Sequence, residues 1–240
     1  MPDSNFVLFG YQHCAAIAAT AIAAFVMIWL NRSPAVPFRM KRAANITLAV
    51  ILLACVFCDS LWIWLRYRAD PDYALQRVCG SGLPLHLCDV LALVLAWTLI
   101  HPQQRGAEFG YLGGMAGTLQ GLLTPTVQYG WDTPEYWNFF GQHGGVPVAA
   151  LALVFGAGLR PLPGALRRAM CWGWLYMATA SLINWRLGTN YGYFNHPPEA
   201  PSLLDYMGPW PWYLVTLQGV AMLFFFLLLL PFRKPRSRPL

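Results

Sequence analysis

Residues 45–65 read N-I-T-L-A-V-I-L-L-A-C-V-F-C-D-S-L-W-I-W-L, an apolar run whose only charged residue is Asp59. An α-helix rises about 1.5 Å per residue, so about 20 mostly apolar residues cross the hydrocarbon core of a bilayer. The run therefore predicts a membrane-spanning helix. Strands of a membrane barrel would alternate apolar and polar residues, and this run does not alternate.

The same pattern recurs along the chain and predicts an all-α integral membrane protein. Only 11% of the 240 residues are charged, whereas a soluble domain would carry about 25%. We therefore predict a single polytopic membrane domain over residues 1–240, built as a bundle of seven transmembrane helices. The expected spans are 11–30, 45–65, 83–100, 108–124, 139–159, 166–186 and 211–231.

Basic residues between these spans predict the orientation. If the spans alternate in direction, twelve of the sixteen lysines and arginines lie on the side of the C-terminus. By the positive-inside rule, the C-terminus is then cytoplasmic and the N-terminus outside, in a multi-pass protein of the cell (cytoplasmic) membrane. The four basic residues on the opposite side are Arg66, Arg68, Arg77 and Arg186.

Polar and ionisable side chains interrupt the apolar stretches near one end of the predicted bundle. Such groups are costly in hydrocarbon and usually face the interior of a bundle. With the expected spans, most of them lie roughly 5–10 Å below the outer boundary. The sequence therefore predicts one polar chamber that contains His86, Asp89, Gln120, Gln142, His143, Asn184 and, at a helix mouth, Asp205.

His86 and Asp89 are the leading catalytic candidates. They stand three residues apart and would share a helix face, where a carboxylate can fix the tautomer of an imidazole and raise its basicity. We expect His86 to act as a general base and His143 to take part in catalysis. The alternative is a buried pair that only locks two helices together.

The remaining polar residues are expected to bind the substrate. Gln120 would donate a hydrogen bond to His86, Asp89 or a ligand, because the glycine stripe Gly113, Gly117 and Gly121 brings its helix close to its neighbours. The segments 188–193 and 202–213 form either a rigid turn-rich loop or a lid over the chamber. The substrate-binding candidates are Gln120, Gln142, Asn184, Asn190 and Asp205.

No metal site and no cofactor are predicted. His86, Asp89 and His143 have the composition of a two-histidine, one-carboxylate site, but the sequence has no H-E-x-x-H motif and the ligands would come from different helices. There is also no nucleic-acid-binding motif. Since the basic residues flank apolar spans, the expected partner is membrane lipid, and the oligomeric state stays open.

Four motifs carry a family resemblance: P-L-H-L-C-D at 84–89, L-T-P at 123–125, L-G-T-N-Y at 187–191 and G-P-W-P-W-Y at 208–213. Together they resemble the YwaF-like family of bacterial multi-pass membrane proteins. That family is in turn similar, more distantly, to eukaryotic transmembrane protein 164, which is associated with acyl transfer between phospholipids through a Pro-Cys-His motif.

The departure from that motif bears on the chemistry. Pro84-Leu85-His86 keeps the histidine and has leucine at the position of the nucleophilic cysteine. Cys88 would not replace it on a continuous helix, because residues two apart point about 200° around the axis from each other. The resemblance therefore implies topology and lipid chemistry without a cysteine nucleophile at this position.

Three functions remain open at the sequence level. A lipid-active enzyme, an acyltransferase or hydrolase, would use His86 with water or a hydroxyl such as Thr124 or Thr189. A transporter or channel would need polar lining in the cytoplasmic half, but residues 92–100, 149–155 and 223–230 are nearly all apolar. A non-catalytic membrane protein would bind a lipid or a partner through the same chamber.

Overall fold

The computed structural model describes residues 6–128, 130–198 and 202–233, and every regular element within those ranges is a helix. The all-α prediction is therefore confirmed for this part of the chain. The α-helices are α1 (Tyr11–Arg32), α2 (Phe38–Tyr67), α3 (Pro71–Arg77), α4 (Leu87–Ile100), α5 (Gln104–Gly113), α6 (Leu119–Leu123), α7 (Pro134–Leu151), α8 (Ala165–Leu187) and α9 (Trp212–Leu229).

Short π and 3₁₀ segments extend or connect these helices. A π-helical turn at Gly114–Thr118 joins α5 to α6, so the two form one continuous helical segment. This segment begins four residues before the expected fourth span. Further π turns follow α3 at Val78–Gly82 and α7 at Ala152–Gly156, and 3₁₀ turns lie at Tyr191–Tyr193, Leu203–Tyr206 and Leu230–Phe232.

The expected third span, 83–100, needs a correction at its start. The helical piece Pro71–Gly82 and the helix Leu87–Ile100 are separated by a break and inclined by 79° to each other. His86 occupies the N-cap position of α4 in an extended conformation. The spacing of three residues had suggested that His86 and Asp89 share a helix face. Because His86 precedes the helix, they do not.

Membrane-spanning capacity is clearest for four of these helices. Within the described ranges, four helices are long and apolar enough to cross a membrane, and a fifth is added if the bent pair counts as one span. All seven expected ranges overlap a helix, but the number seven and the orientation of the termini stay predictions. The four are Tyr11–Arg32, Phe38–Tyr67, Pro134–Gly156 and Trp212–Phe232.

The core of the bundle lies between α1, α2, α4, α5 and α7. Leu52, Leu91, Leu95 and Val146 are fully buried there, and α8 and α9 pack at the edge with few of their apolar side chains buried. The predicted glycine stripe allows close approaches between helices. A Cβ added at Gly113 would stand 2.8 Å from Leu91, and one at Gly117 would stand 3.2 Å from Leu87.

Candidate functional site

Asp89 holds the first turn of α4 through the backbone of His86. The backbone N–H of His86 donates to Asp89 Oδ2 at 3.0 Å, which satisfies one of the donors that a helix start leaves free. The expectation that this carboxylate would orient the imidazole is thereby corrected. Asp89 positions His86 through its main chain instead.

The imidazole of His86 contacts the loop that follows α8. The backbone N–H of Gly192 donates to His86 Nδ1 at 3.4 Å. The rings of Tyr191 and Tyr193 each lie 5.2 Å from the imidazole, centroid to centroid. Because a backbone N–H can only donate, Nδ1 must accept, and the hydrogen of the neutral ring lies on Nε2. His86 thus presents Nε2–H, a donor, at its other edge.

The Asp89 carboxylate has three donors around it. Besides the His86 N–H, Gln142 Nε2 donates to Oδ1 at 2.6 Å, and the Cys88 thiol lies 3.9 Å from the same oxygen. Gln142 is only 4% exposed, so this contact is built into the packing between α4 and α7. A carboxylate accepts about four hydrogen bonds, so one position remains free.

Gln142 therefore occupies the role that the sequence assigned to Gln120. Gln120 is half-buried, and its side-chain amide has no hydrogen-bond partner among the described residues. The thiol of Cys88 also lies closer to the site than expected. The argument from helical rotation fails because His86 precedes the helix, so the angle between the two residues is not that of a continuous helix.

His143 carries its hydrogen on the nitrogen opposite to that of His86. Its Nδ1 lies 3.0 Å from the carbonyl oxygen of Phe139, and its ring stacks on the Phe139 ring with centroids 4.0 Å apart. A carbonyl can only accept, so Nδ1 donates and the lone pair of the neutral ring lies on Nε2. That nitrogen faces the glycine stripe, where a Cβ at Gly121 would stand 2.9 Å from it.

The two histidines belong to one polar cluster. Asp89 accepts from the His86 backbone and from the Gln142 side chain, and His143 follows Gln142 in α7. Asp59 accepts a hydrogen bond from Asn138 at 2.7 Å, which links α2 to α7. The cluster formed by His86, Asp89, Gln142 and His143 is called the paired-histidine site below.

Asn184 anchors the loop that covers His86. This side chain is 1% exposed at the end of α8, and its Nδ2 donates to the carbonyl of Tyr191 at 2.9 Å. Its Oδ1 accepts from the Tyr191 N–H at 2.7 Å and from the Thr189 hydroxyl at 2.8 Å. Asn184 therefore acts as a support for the loop, and its side chain is fully engaged there.

Tyr191 fastens the same loop to the break before α4. Its hydroxyl donates to the carbonyl of Cys79 at 2.8 Å and accepts from the Leu83 N–H at 3.2 Å. Burial raises the pKa of Tyr191 above its ordinary value, so the hydroxyl keeps its proton and remains a donor. Tyr176 adds a second tie from α8, since its hydroxyl donates to the carbonyl of Leu85 at 3.0 Å.

Among the described residues, no hydrogen bond joins Asn190 or Asp205 to the imidazole of His86 or His143. The Asn190 amide donates to the carbonyl of His196 at 2.9 Å, within its own loop. Asp205 accepts from the Ser202 N–H at 2.7 Å and caps a 3₁₀ turn. The two hydroxyls considered as nucleophiles are engaged as well, since Thr124 donates to the carbonyl of Gln120 and Thr189 donates to Asn184.

Two features were missed at the sequence level. The aromatic wall of Tyr176, Tyr191 and Tyr193 belongs to no expected set, although the motif at 187–191 pointed to the loop. His13 is fully buried and bonded to the carbonyl of Leu122 at 2.8 Å, behind α6. In the part of the chain that the structure describes, no group of three or more His, Cys, Asp or Glu residues could hold a metal ion.

A second buried polar cluster lies between α5 and α8. Arg168 Nη2 lies 2.8 Å from Glu108 Oε2, and Glu108 is only 3% exposed. The same carboxylate accepts from the Leu162 N–H at 3.0 Å. This pair lies within the expected fourth and sixth spans, and no sequence motif singled it out. It ties the turn before α8 to α5.

Comparison with known proteins gives one family. A family model described as the TMEM164 family matches residues 8–229, which is nearly the whole chain. This match confirms the distant similarity to transmembrane protein 164, whereas the resemblance to the YwaF-like family stays a prediction. Comparison with curated proteins and with solved structures gives no match.

Proposed function

Because the chain belongs to the TMEM164 family, a family of membrane proteins, we propose that it is a membrane enzyme that cleaves or transfers ester-linked acyl chains of lipids. The paired-histidine site would carry the chemistry. The single observation that supports this proposal is that the two imidazoles have opposite backbone partners, the N–H of Gly192 for His86 and the carbonyl of Phe139 for His143. One imidazole offers a donor and the other offers a lone pair, as acid–base catalysis requires.

The roles follow from these hydrogen positions. His143 Nε2 takes the proton of the attacking hydroxyl, whose oxygen forms a bond to the ester carbonyl carbon. His86 Nε2–H donates to the carbonyl oxygen as it becomes negative. When the intermediate collapses, the ester C–O bond breaks, and His143 returns the proton to the departing alkoxide. Water as the attacking group gives hydrolysis, and a lipid hydroxyl gives acyl transfer.

This assignment changes the role that the sequence favoured for His86. For His86 to act as a base through Nε2, its hydrogen would have to move to Nδ1, and the contact with the Gly192 N–H would have to break. We therefore assign the base to His143 and keep His86 as a donor. Asp89 and Gln142 are positioning residues, because they hold His86 and the start of α4 in place.

Substrate contacts are assigned to the groups that are still free. The Gln120 amide stands next to Gly121, which touches His143, and we propose that it binds the lipid ester or its head group. Asn184 supports the site from behind. Asn190 and Asp205 would contact substrate only if their present loop contacts were exchanged, so we place them at the rim.

The membrane placement is part of the proposal. Seven helical segments would cross the cell membrane, with the N-terminus outside and the paired-histidine site near the outer surface, where lipid esters lie. Transport is the weaker reading, because the half of the bundle beyond the site is filled by buried Leu95, Leu99 and Leu153. Glu108 and Arg168 in that half are bonded to each other.

The experiment compares lipids of membranes from cells that express the native chain or a variant, at matched protein levels. His143→Gln should lose about 10²- to 10⁴-fold of the activity, because the base is gone. His86→Ala should lose about 10²- to 10³-fold, because one donor to the developing oxyanion is gone. His86→Gln should retain more activity than His86→Asn, because only the longer amide places a donor where Nε2 stands.

His101 supplies the matched control. It ends α4 at the opposite end of the helix and stacks on Trp97, so His101→Gln should leave lipid composition as in the native chain. If no lipid class changes under native expression, the enzyme proposal fails and binding becomes the better reading. If His86→Gln and His86→Asn are equally inactive while His143→Gln is active, the assigned roles are wrong.

A further inference from the structure

A cleft of about 400 Å³ opens beside the paired-histidine site, between the helical piece Pro71–Gly82 and the end of α8. Its wall on one side is formed by Tyr73, Gln76, Arg77 and Ser81, and on the other side by Leu187 and Thr189. The wall is mixed, with hydroxyl, amide and guanidinium groups next to apolar carbon. This composition fits a polar group that carries an apolar tail.

The cleft and the paired-histidine site share the same loop. Cys79 lines the cleft, and its carbonyl accepts the hydroxyl of Tyr191, whose ring packs against His86. Thr189 lines the cleft as well and is held by Asn184. One tyrosine side chain therefore spans the distance between the cleft and the imidazole. The phosphate and the ester carbonyls of a glycerophospholipid are likewise separated by only a few bonds.

Arg77 gives the cleft its charge. Its guanidinium is exposed, and within the described ranges the one ion pair is that between Arg168 and Glu108. The nearest acidic residues along the chain are Asp70 and Asp72, and Asp70 already caps α3 by accepting the Tyr73 N–H at 3.1 Å. A guanidinium offers a planar fork of donors that matches the oxygens of a phosphate.

The neighbourhood of the cleft is positively charged as well. Arg186 stands next to the lining residue Leu187, and Arg66 and Arg68 lie at the end of α2, just before α3. With Arg77, these are the four basic residues that the sequence places on the side opposite the C-terminus. Of the four, Arg77 is the one that lines the cleft.

We infer that this cleft binds a phosphate-bearing anion through Arg77 and thereby selects lipids whose head groups carry net negative charge. The inference rests on the proposed function, since it names the class of lipid that would reach the paired-histidine site. In this arrangement Arg77 takes the phosphate, and Gln76 and Tyr73 supply further hydrogen bonds. The acyl chains leave toward the exposed apolar faces of α8, and an ester bond comes to lie toward His86.

The experiment measures lipid binding without turnover. The protein is purified in a neutral detergent and titrated with fluorescent short-chain phosphatidylglycerol or phosphatidylcholine of the same acyl chains. We expect the native chain to prefer phosphatidylglycerol by about five- to tenfold, as a partly exposed charge-assisted hydrogen bond would give. The preference should fall as salt is added.

The variants separate Arg77 from general surface charge. Arg77→Gln should abolish the preference, and Arg77→Lys should keep part of it, because an ammonium retains the charge without the fork. Arg68→Gln is the matched control, since Arg68 ends α2 and does not line the cleft. If Arg77→Gln keeps the preference, or if Arg68→Gln removes it equally, the inference is overturned.

Two further arms separate the possible outcomes. Glycerol 3-phosphate that displaces the lipid shows that the phosphate alone is recognised, and a failure to displace it shows that the phosphate must be part of a lipid. His101→Gln, at the opposite end of α4, should bind with the native preference. The enzyme proposal fails if membranes from cells that express the histidine variants have the same lipids as those with the native chain. If Arg77→Gln still abolishes the preference for phosphatidylglycerol in that case, the anion site stands.

Discussion

His86 and His143 have the same side chain, and their backbone partners give them opposite hydrogen positions. The N–H of Gly192 donates to the His86 ring. The carbonyl of Phe139 accepts from the His143 ring. Imidazole has two nitrogens of similar basicity, so the partner of one nitrogen decides what the other can do. The chemical role of each histidine is therefore set by a single main-chain group.

Tyr191 gives a test of this arrangement at the scale of one residue. Tyr191→Phe keeps the ring against His86 and removes the hydroxyl that joins Cys79 and Leu83. We expect the free energy of unfolding to fall by about 1–3 kcal/mol, because two main-chain groups lose their partner. Thermal unfolding of the purified protein in detergent measures this loss.

Tyr206 is the matched tyrosine for this test. It is 89% exposed in the loop before α9, so Tyr206→Phe should leave the unfolding temperature close to that of the native chain. Equal unfolding temperatures for the two variants would show that the Tyr191 hydroxyl does not hold the loop.

At the scale of the helices, close approach along the glycine stripe brings α6 against α7. A Cβ at Gly121 would stand 2.3 Å from the ring of His143, a distance that real Cβ contacts do not reach. The break before α4 has a comparable effect. Because α4 starts only at Leu87, the imidazole of His86 is free to face the loop after α8.

Two glycine-to-alanine changes in helices should have opposite effects. Gly121→Ala forces His143 or the helix to shift, and overpacking of this kind costs typically about 1–3 kcal/mol of stability. Gly173→Ala adds a methyl group in α8 with nothing within 4 Å, so it should be neutral or stabilise by up to about 1 kcal/mol. Thermal unfolding and lipid activity are measured for both.

The outcome for Gly121→Ala also bears on the assigned base. We expect the activity per folded protein to be lower in Gly121→Ala than in the native chain, because Nε2 of His143 faces this glycine. Native activity in Gly121→Ala would contradict the placement of the reacting group between α6 and α7.

Over the whole molecule, the polar groups of the paired-histidine site lie where α4 begins and about two turns into α7, next to the loop after α8. The polar side chains there include His86, Gln142 and Asn184. Farther along α4 and α7 the buried side chains are apolar except Thr98, whose hydroxyl donates to the carbonyl of Val94. A buried polar group is tolerated only when it is bonded, and most of these groups are bonded to one another or to the backbone. The paired-histidine site is therefore one polar cluster of the bundle, and the pair of Glu108 and Arg168 is another.

The predicted topology gives a test at this scale. Seven crossings place the two termini on opposite sides of the membrane, with the more basic connections in the cytoplasm. A reporter that folds only in the cytoplasm should be active at the C-terminus and inactive at the N-terminus, and a periplasmic or extracellular reporter should show the reverse. Termini on the same side would mean an even number of crossings.

The amino-acid sequence by itself determined the helical class and the membrane setting. The length and apolarity of a run such as 45–65 are local properties, which do not depend on contacts with other segments. It also predicted a polar chamber in which His86, Asp89, Gln142 and His143 lie together with Gln120, Asn184 and Asp205. Only the tertiary structure decided that Gln142 bonds to Asp89, that Asp89 holds a backbone group, and which imidazole nitrogen carries its hydrogen. The same holds for Arg77, which faces a cleft between helical segments far apart in sequence. Periodicity fixes which face of a helix is apolar, whereas the break at 83–86 and the contacts between helices depend on groups that are distant along the chain.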